Sequence, residues 1–234
     1  MNDILMQIRS DLPSFSKGQK RIANYILESY DKAAFMTASR LGNQDVVSTV
    51  LQGDIDSIRM TSEALSRAEM DACVQAILKA KSIYIVGVRS SAALAAFLNF
   101  YLRNMFENVR LVGSTSTSEM FEQLLRVGPG DVVIGFSLPR YSSRTVKVMQ
   151  YAHDTGATCI AVTDKPDAPA GKVADHVLVA KSDMVSVVDS LVAPMSVVNA
   201  LVVSLAQEQQ TQMAKTYEDL ETLWDEYDVY ERVE

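Results

Sequence analysis

The sequence predicts an α/β fold: a doubly wound, parallel five-stranded sheet in three αβα layers, preceded by a small helical N-terminal segment. Two observations carry that prediction. Between about Ser82 and Lys181, five short apolar runs rich in β-branched residues alternate with stretches of helical periodicity. Strands of a parallel sheet are covered on both faces, so they read as unbroken apolar runs and not as apolar–polar alternation. Residues 1 to 80, by contrast, show helical periodicity only. The chain has 234 residues, 48% of them hydrophobic, which is enough for one sizeable core and a small accessory unit.

In order along the chain, Ser16 is placed to cap a helix that sets Ile22, Ala23, Ile26, Leu27 and Tyr30 on one face. A short helical piece, Thr37 to Leu41, ends at Gly42-Asn43, a C-terminal breaker. The next helix aligns Val47, Leu51, Ile55, Ile58 and Leu65 on a stripe that could pack against a second copy of the chain, and MDACVQAILKA supplies another helix. The expected strands are SIYIVGV, VRLVG, DVVIGFS, TCIAVTD and HVLVAK. A long final helix is expected from about Val187 to Met213. An acidic terminal helix, docked through Leu220, Leu223, Trp224 and Tyr227, is expected after it. The expected divisions are 1–42, a helical head; 43–80, linker helices; 81–213, the α/β domain; and 214–234, the acidic C-terminal helix.

Net charge is −7, so the chain as a whole lacks the positive surface that displaces counterions from a polyanion. The excess is uneven: residues 1–42 carry six Lys and Arg against four Asp and Glu, a balance of +2, and the remainder carries −9. Cys73 and Cys159 stand far apart and outside any CxxC spacing, which fits a reducing compartment. With no secretory pattern and no long apolar run, a cytoplasmic location is expected.

Ligands of open α/β sheets sit beyond the carboxyl ends of the strands, where loops turn into helix N-termini and backbone N–H groups point outward. Three of those ends are crowded with hydroxyls: Gly87 to Ser91, Gly113 to Ser118, and Ser137 to Thr145. One such cluster usually amounts to a helix cap. Three of them, two with arginines (Arg89, Arg140 and Arg144), point to an anionic small molecule, because hydroxyl and guanidinium groups both donate to an anion that the helix dipole also favours. The first turn lacks the further glycines of a dinucleotide fingerprint, and no Walker sequence is present. His153 reads as a helix residue away from the strand ends and His176 as the start of the fifth strand. No spacing suits a metal, so neither a metal nor a cofactor is expected.

On these residues the sequence resembles the SIS (sugar isomerase) domain. YIVGVRSSAALAA, Tyr84 to Ala96, is similar to that family's first strand, turn and phosphate-binding serine. The segment Ser137 to Thr145 is similar to its Ser-x-Ser-Gly-x-Thr-x-Glu-Thr motif, with Ser137 and Thr145 kept and Ser142 in place of threonine. Pro139, Arg140 and Arg144 stand where the motif has serine, glycine and glutamate. The resemblance implies a flavodoxin-like sandwich that binds a phosphorylated sugar or amino sugar through Ser90, Ser91, Ser114, Ser137, Arg140, Ser142 and Thr145. It also implies a homodimer or tetramer formed through this domain. Isomerisation needs a base beside a carbonyl, and arginine stands where the motif has its carboxylate, leaving Glu119 and Glu122 as candidates. A sensor is therefore expected, with an SIS-fold isomerase as the alternative. The segment LPSFSKGQKRIANYILESYDKAAFMTASRLG further resembles the head of RpiR-type transcriptional regulators, which join a helix-turn-helix to an SIS domain. After Leu41-Gly42 the chain passes straight to the linker, without the family's recognition helix, which is the element that reads base edges in the major groove. The resemblance thus implies a regulator in which DNA binding by this chain is weak or absent, or a DNA-binding-deficient dimerisation partner of full-length regulators.

Overall fold

The computed structural model describes residues 2–28, 46–113, 116–182, 184–185 and 188–230, and divides the chain into two compact units, Met1–Gln52 and Gly53–Glu234. In the first unit, α1 (Asn2–Asp11) packs on α2 (Lys17–Glu28) across a 3-10 turn, Leu12–Ser14. The start of α2 is a capping box: the Ser16 N–H donates to Gln19 Oε1 (2.9 Å) and the Gln19 N–H donates to Ser16 Oγ (3.4 Å). The expected helical piece Thr37 to Leu41 lies outside the described residues.

The helix α3 (Val46–Ala64) leads along the chain from the first unit into the second. Within the second unit its buried side chains are Ser57 and Thr61, while Ile55 and Ile58 of the expected apolar stripe are exposed. The inward face is polar because it meets polar groups. Thr61 Oγ1 accepts from the Lys181 N–H (2.8 Å), and an Asp54 carboxylate oxygen accepts from Ser190 Oγ (2.6 Å). After it, α4 (Arg67–Leu78) starts on Ser66, whose hydroxyl accepts from the Glu69 N–H, and buries Met70, Cys73, Val74 and Ile77.

The sheet consists of β1 (Ile83–Gly87), β2 (Val109–Val112), β3 (Val132–Phe136), β4 (Thr158–Thr163) and β5 (His176–Val179). All neighbours are parallel, in the order β2-β1-β3-β4-β5. Between the strands run α5 (Ala92–Met105), α6 (Thr117–Gln123) and α7 (Ser143–Asp154), and α8 (Val192–Glu208) follows the sheet. Strand alternation divides the core. Ile83, Ile85, Ile134 and Ile160 face α4, α5 and α8, whereas Tyr84, Val86, Val133 and Cys159 face α6 and α7. Each fully buried aliphatic side chain among these contributes about 1.5–3 kcal/mol, which makes the sheet the rigid base for the loops at its rim.

Two expectations fail at the C-terminal end. The helix expected from Val187 is preceded instead by a small antiparallel pair, β6 (Met184–Val185) and β7 (Val188–Asp189), and it begins only at Val192. Valines favour extended backbone, and the Ser190 hydroxyl accepts from the Val192 N–H ahead of the helix. The helix then breaks at Gln209 (φ −112°, ψ 29°), outside helical space, before α9 (Gln210–Glu226) resumes. Of α9, Met213 joins the core; of the expected docking stripe, Leu220 and Trp224 are half-buried, while Leu223 and Tyr227 are exposed. Among the described residues, no helix is long and apolar enough to cross a membrane.

Candidate functional site

With strands ordered β2-β1-β3-β4-β5, the chain reverses its winding direction between β1 and β3, and a crevice opens beyond their carboxyl ends at such a switch point. A cleft of about 360 Å³ lies there. Its walls are Val88 to Ser91 from the end of β1, Phe136 to Arg140 and Ser142 from the end of β3, and Asp189 from β7. Of the sequence candidates, Ser90, Ser91, Ser137, Arg140 and Ser142 therefore line one cavity. Thr145 lies one step farther along, fully buried in the first turn of α7 and off the cleft wall. Ser114 lies outside the described residues.

The hydroxyls here are not consumed by capping. Ser91 and Ser142 occupy the cap positions of α5 and α7, yet neither side chain makes a cap hydrogen bond. Ser137 is 2% exposed, and the Ser137 Oγ and Thr145 Oγ1 atoms have no hydrogen-bond partner among the described residues. A buried unpaired hydroxyl costs about 1–3 kcal/mol, and a ligand oxygen would remove that cost.

Backbone strain is concentrated in the same place. Arg89 (φ 56°) and Arg140 (φ 61°) both adopt the left-handed conformation, which side-chain-bearing residues resist by about 1–2 kcal/mol. Arg140 stands where the SIS motif has glycine, the residue that this conformation favours. The β3 loop is held in its turn from both sides. Thr163 Oγ1 donates to the Ser137 carbonyl (2.6 Å), and Tyr141 Oη donates to both Asp164 carboxylate oxygens (2.9 and 3.1 Å). Burial and this carboxylate push the Tyr141 phenol up to about 12, so it remains a donor. Arg140 reaches Asp189 at 3.6 Å, and Ser90 Oγ donates to the same carboxylate at 3.5 Å.

Asp189, Tyr141, Asp164 and Thr163 are the residues that sequence reasoning missed. Asp164 was open to detection, because it directly follows the fourth apolar run, where residues of an α/β sheet face the ligand crevice. Asp189 lies in a segment that reads as helix. Neither Glu119 nor Glu122 lines the cleft; Glu122 borders a separate recess beside Arg110 and Arg126. His153 closes α7, with Nε2 3.6 Å from Asp175, and His176 opens β5, with Nδ1 3.4 Å from Glu69. Both cysteines are buried and free, and burial raises each thiol to about 12. Among the described residues, no cluster of His, Cys, Asp or Glu is placed to hold a metal ion.

The SIS domain model matches residues 76–204. The sugar isomerase domain of an RpiR transcription factor from Sphaerobacter thermophilus is 28% identical, with a TM-score of 0.72, and the match covers 76% of this chain and 99% of that one. The Vibrio vulnificus NanR protein, solved in complex with ManNAc-6P, shares the fold at 19% identity and a TM-score of 0.67, over 94% of this chain and 98% of NanR. An uncharacterized HTH-type transcriptional regulator of Caldanaerobacter subterraneus is 22% identical over 272 aligned positions, covering 94% of this chain and 96% of that protein. Two other curated relatives are matched over only 57% and 41% of their own length. The strand order, the cleft at its switch point and the match over residues 76–204 agree, and the chain belongs to the SIS domain family.

Proposed function

We propose that this chain is a sugar-phosphate-sensing transcriptional regulator of the RpiR type, which binds a phosphorylated sugar or amino sugar in the β1/β3 cleft without turning it over. The observation that carries this reading is the convergence of donors at the switch point: the buried, unpartnered Ser137 hydroxyl and the cap-position hydroxyls of Ser91 and Ser142, which make no cap bond, beside Ser90 and the strained Arg140, both paired with Asp189. Helix N-termini and charge-assisted donors together suit a phosphate. Ser114 and Thr145 complete the proposed ligand set, and neither cofactor nor metal is required. The regulator names of the relatives and the ManNAc-6P held by NanR support the same reading.

DNA binding by this chain alone is proposed to be weak or absent. The ground for a shortened head is the motif itself, since after Leu41-Gly42 the chain runs into the linker without the recognition-helix pattern that RpiR-type heads carry. The chain would then act through self-association or mixed dimers with full-length relatives, a role that the exposed Ile55 and Ile58 suit. The proposed division remains a head to residue 42, linker helices to 80, the SIS domain to 213 and a terminal helix after it.

One observation favours an isomerase instead: a carboxylate, Asp189, does stand in the cleft. Its pairing with Arg140 and Ser90 makes it a poor free base, which favours the sensor. Incubation with phosphosugars, followed by product analysis, separates the two. The sensor reading expects saturable binding and unchanged sugar, and isomerised product would overturn it.

A further inference from the structure

The same carboxylate carries a second consequence, which rests on the reading of the cleft as a phosphate site. Asp189 lines the cleft that this reading assigns to the anion. Its two oxygens engage Arg140 at 3.6 Å and Ser90 at 3.5 Å, and its side chain is only 18% exposed. The next residue faces the other way along the structure. The Ser190 hydroxyl donates to Asp54 of α3 at 2.6 Å, and the Ser190 carbonyl accepts from Ser182 Oγ at 2.9 Å. One residue boundary thus separates a contact to the cleft's donors from a contact to the helix that leads from the N-terminal unit. The same stretch of chain meets α3 again where Thr61 accepts from the Lys181 N–H, and the Lys181 ammonium donates to the Asp164 carbonyl beneath the β3 loop.

We propose that Asp189 is the specificity-determining residue of the cleft: it holds Arg140 and Ser90 until a phosphate displaces it, and Ser190 passes that displacement to α3 through Asp54. The selectivity follows from charge. A phosphomonoester carries between one and a half and two negative charges near neutral pH on three terminal oxygens, whereas Asp189 offers one charge on two. A phosphate therefore outcompetes the internal carboxylate, and a monocarboxylate or an unphosphorylated sugar does not. The coupling is reciprocal: whatever loosens Ser190 from Asp54 makes Asp189 easier to displace.

The test uses the full chain, with inorganic phosphate and acetate as probes, calorimetry for affinity, and amide hydrogen exchange for α3. In the absence of any anion, D189N is expected to raise exchange around Asp54 to Thr61 several-fold, and to bind phosphate about tenfold more tightly than wild type, since one competing charge-assisted contact is gone. A purely structural role would raise exchange but weaken phosphate binding. R140Q breaks the pair from the other side and should give the same rise in α3 exchange while losing phosphate affinity, which keeps the test decisive if D189N folds poorly. S190A should abolish the α3 response to phosphate. Wild-type-like α3 exchange in anion-free D189N or R140Q, or weaker phosphate binding by D189N, would overturn the proposal. Failure of the sensor reading shows separately, as wild-type chain that binds no phosphosugar while the anion-free exchange result stands.

Discussion

The Ser137 hydroxyl is buried without a described partner and lies on the cleft wall, so its removal costs the folded chain little and the liganded state more. Ser137→Ala should weaken phosphosugar binding by about 1.5–3 kcal/mol, the range for a hydrogen bond to a charged group, while the melting temperature stays within a few degrees. Calorimetry on the variant and wild type checks this. The thiols give a prediction of opposite character. Burial raises Cys73 and Cys159 from 9.0 to about 12, so the unfolded chain releases these protons first. Their contribution to stability is complete below pH 9 and is lost as pH rises from 9 towards 12. Neither thiol should react with a thiol reagent at pH 8 until the chain unfolds, and the urea midpoint should fall across the alkaline range. Residue types at the strand ends were legible in the sequence as donors. Their pairing was not, because Asp189 reaches Arg140 and Ser90 only through tertiary structure.

At the scale of elements, β1 and α5 meet at Gly87, where an added Cβ would lie 2.6 Å from the Ser91 carbonyl oxygen and 2.8 Å from Ala95 Cβ. Gly87→Ala must push the start of α5 away and carry Ser90 and Ser91 with it. A loss of about 1–3 kcal/mol in stability, typical of overpacking, is expected together with weaker ligand binding, measured by denaturation and calorimetry. Tyr141→Phe acts differently, since it frees the β3 loop from Asp164 and leaves the core intact. Ligand affinity should fall by about tenfold with little change in melting temperature. The five strands and the crossover helices α5 and α7 were legible because unbroken β-branched runs and 3.6-residue stripes are signals of the strand or helix itself. The α3 face and the start of α8 were not, for a shared reason. The buried side of α3 is polar, since it serves hydrogen bonds to Lys181 and Ser190, and the valines before Ser190 fit a small strand pair better than the helix that periodicity suggests.

For the whole molecule, the strand order fixes where the cleft must be, and the cleft's donors limit what it can hold. An acidic chain of net charge −7 still gathers Arg89, Arg140 and several hydroxyls at one switch point. The sensor reading and the isomerase reading share that pocket and differ only in what Asp189 does. The central claim is that the β1/β3 cleft recognises a phosphorylated sugar through its phosphate. Calorimetric titration of the full chain with phosphorylated hexoses and amino sugars, each beside its unphosphorylated counterpart, tests this most directly. Saturable binding confined to phosphorylated members and lost in Ser137→Ala is the predicted result. Equal binding of the unphosphorylated sugars, or phosphosugar binding that survives Ser137→Ala unchanged, would contradict it.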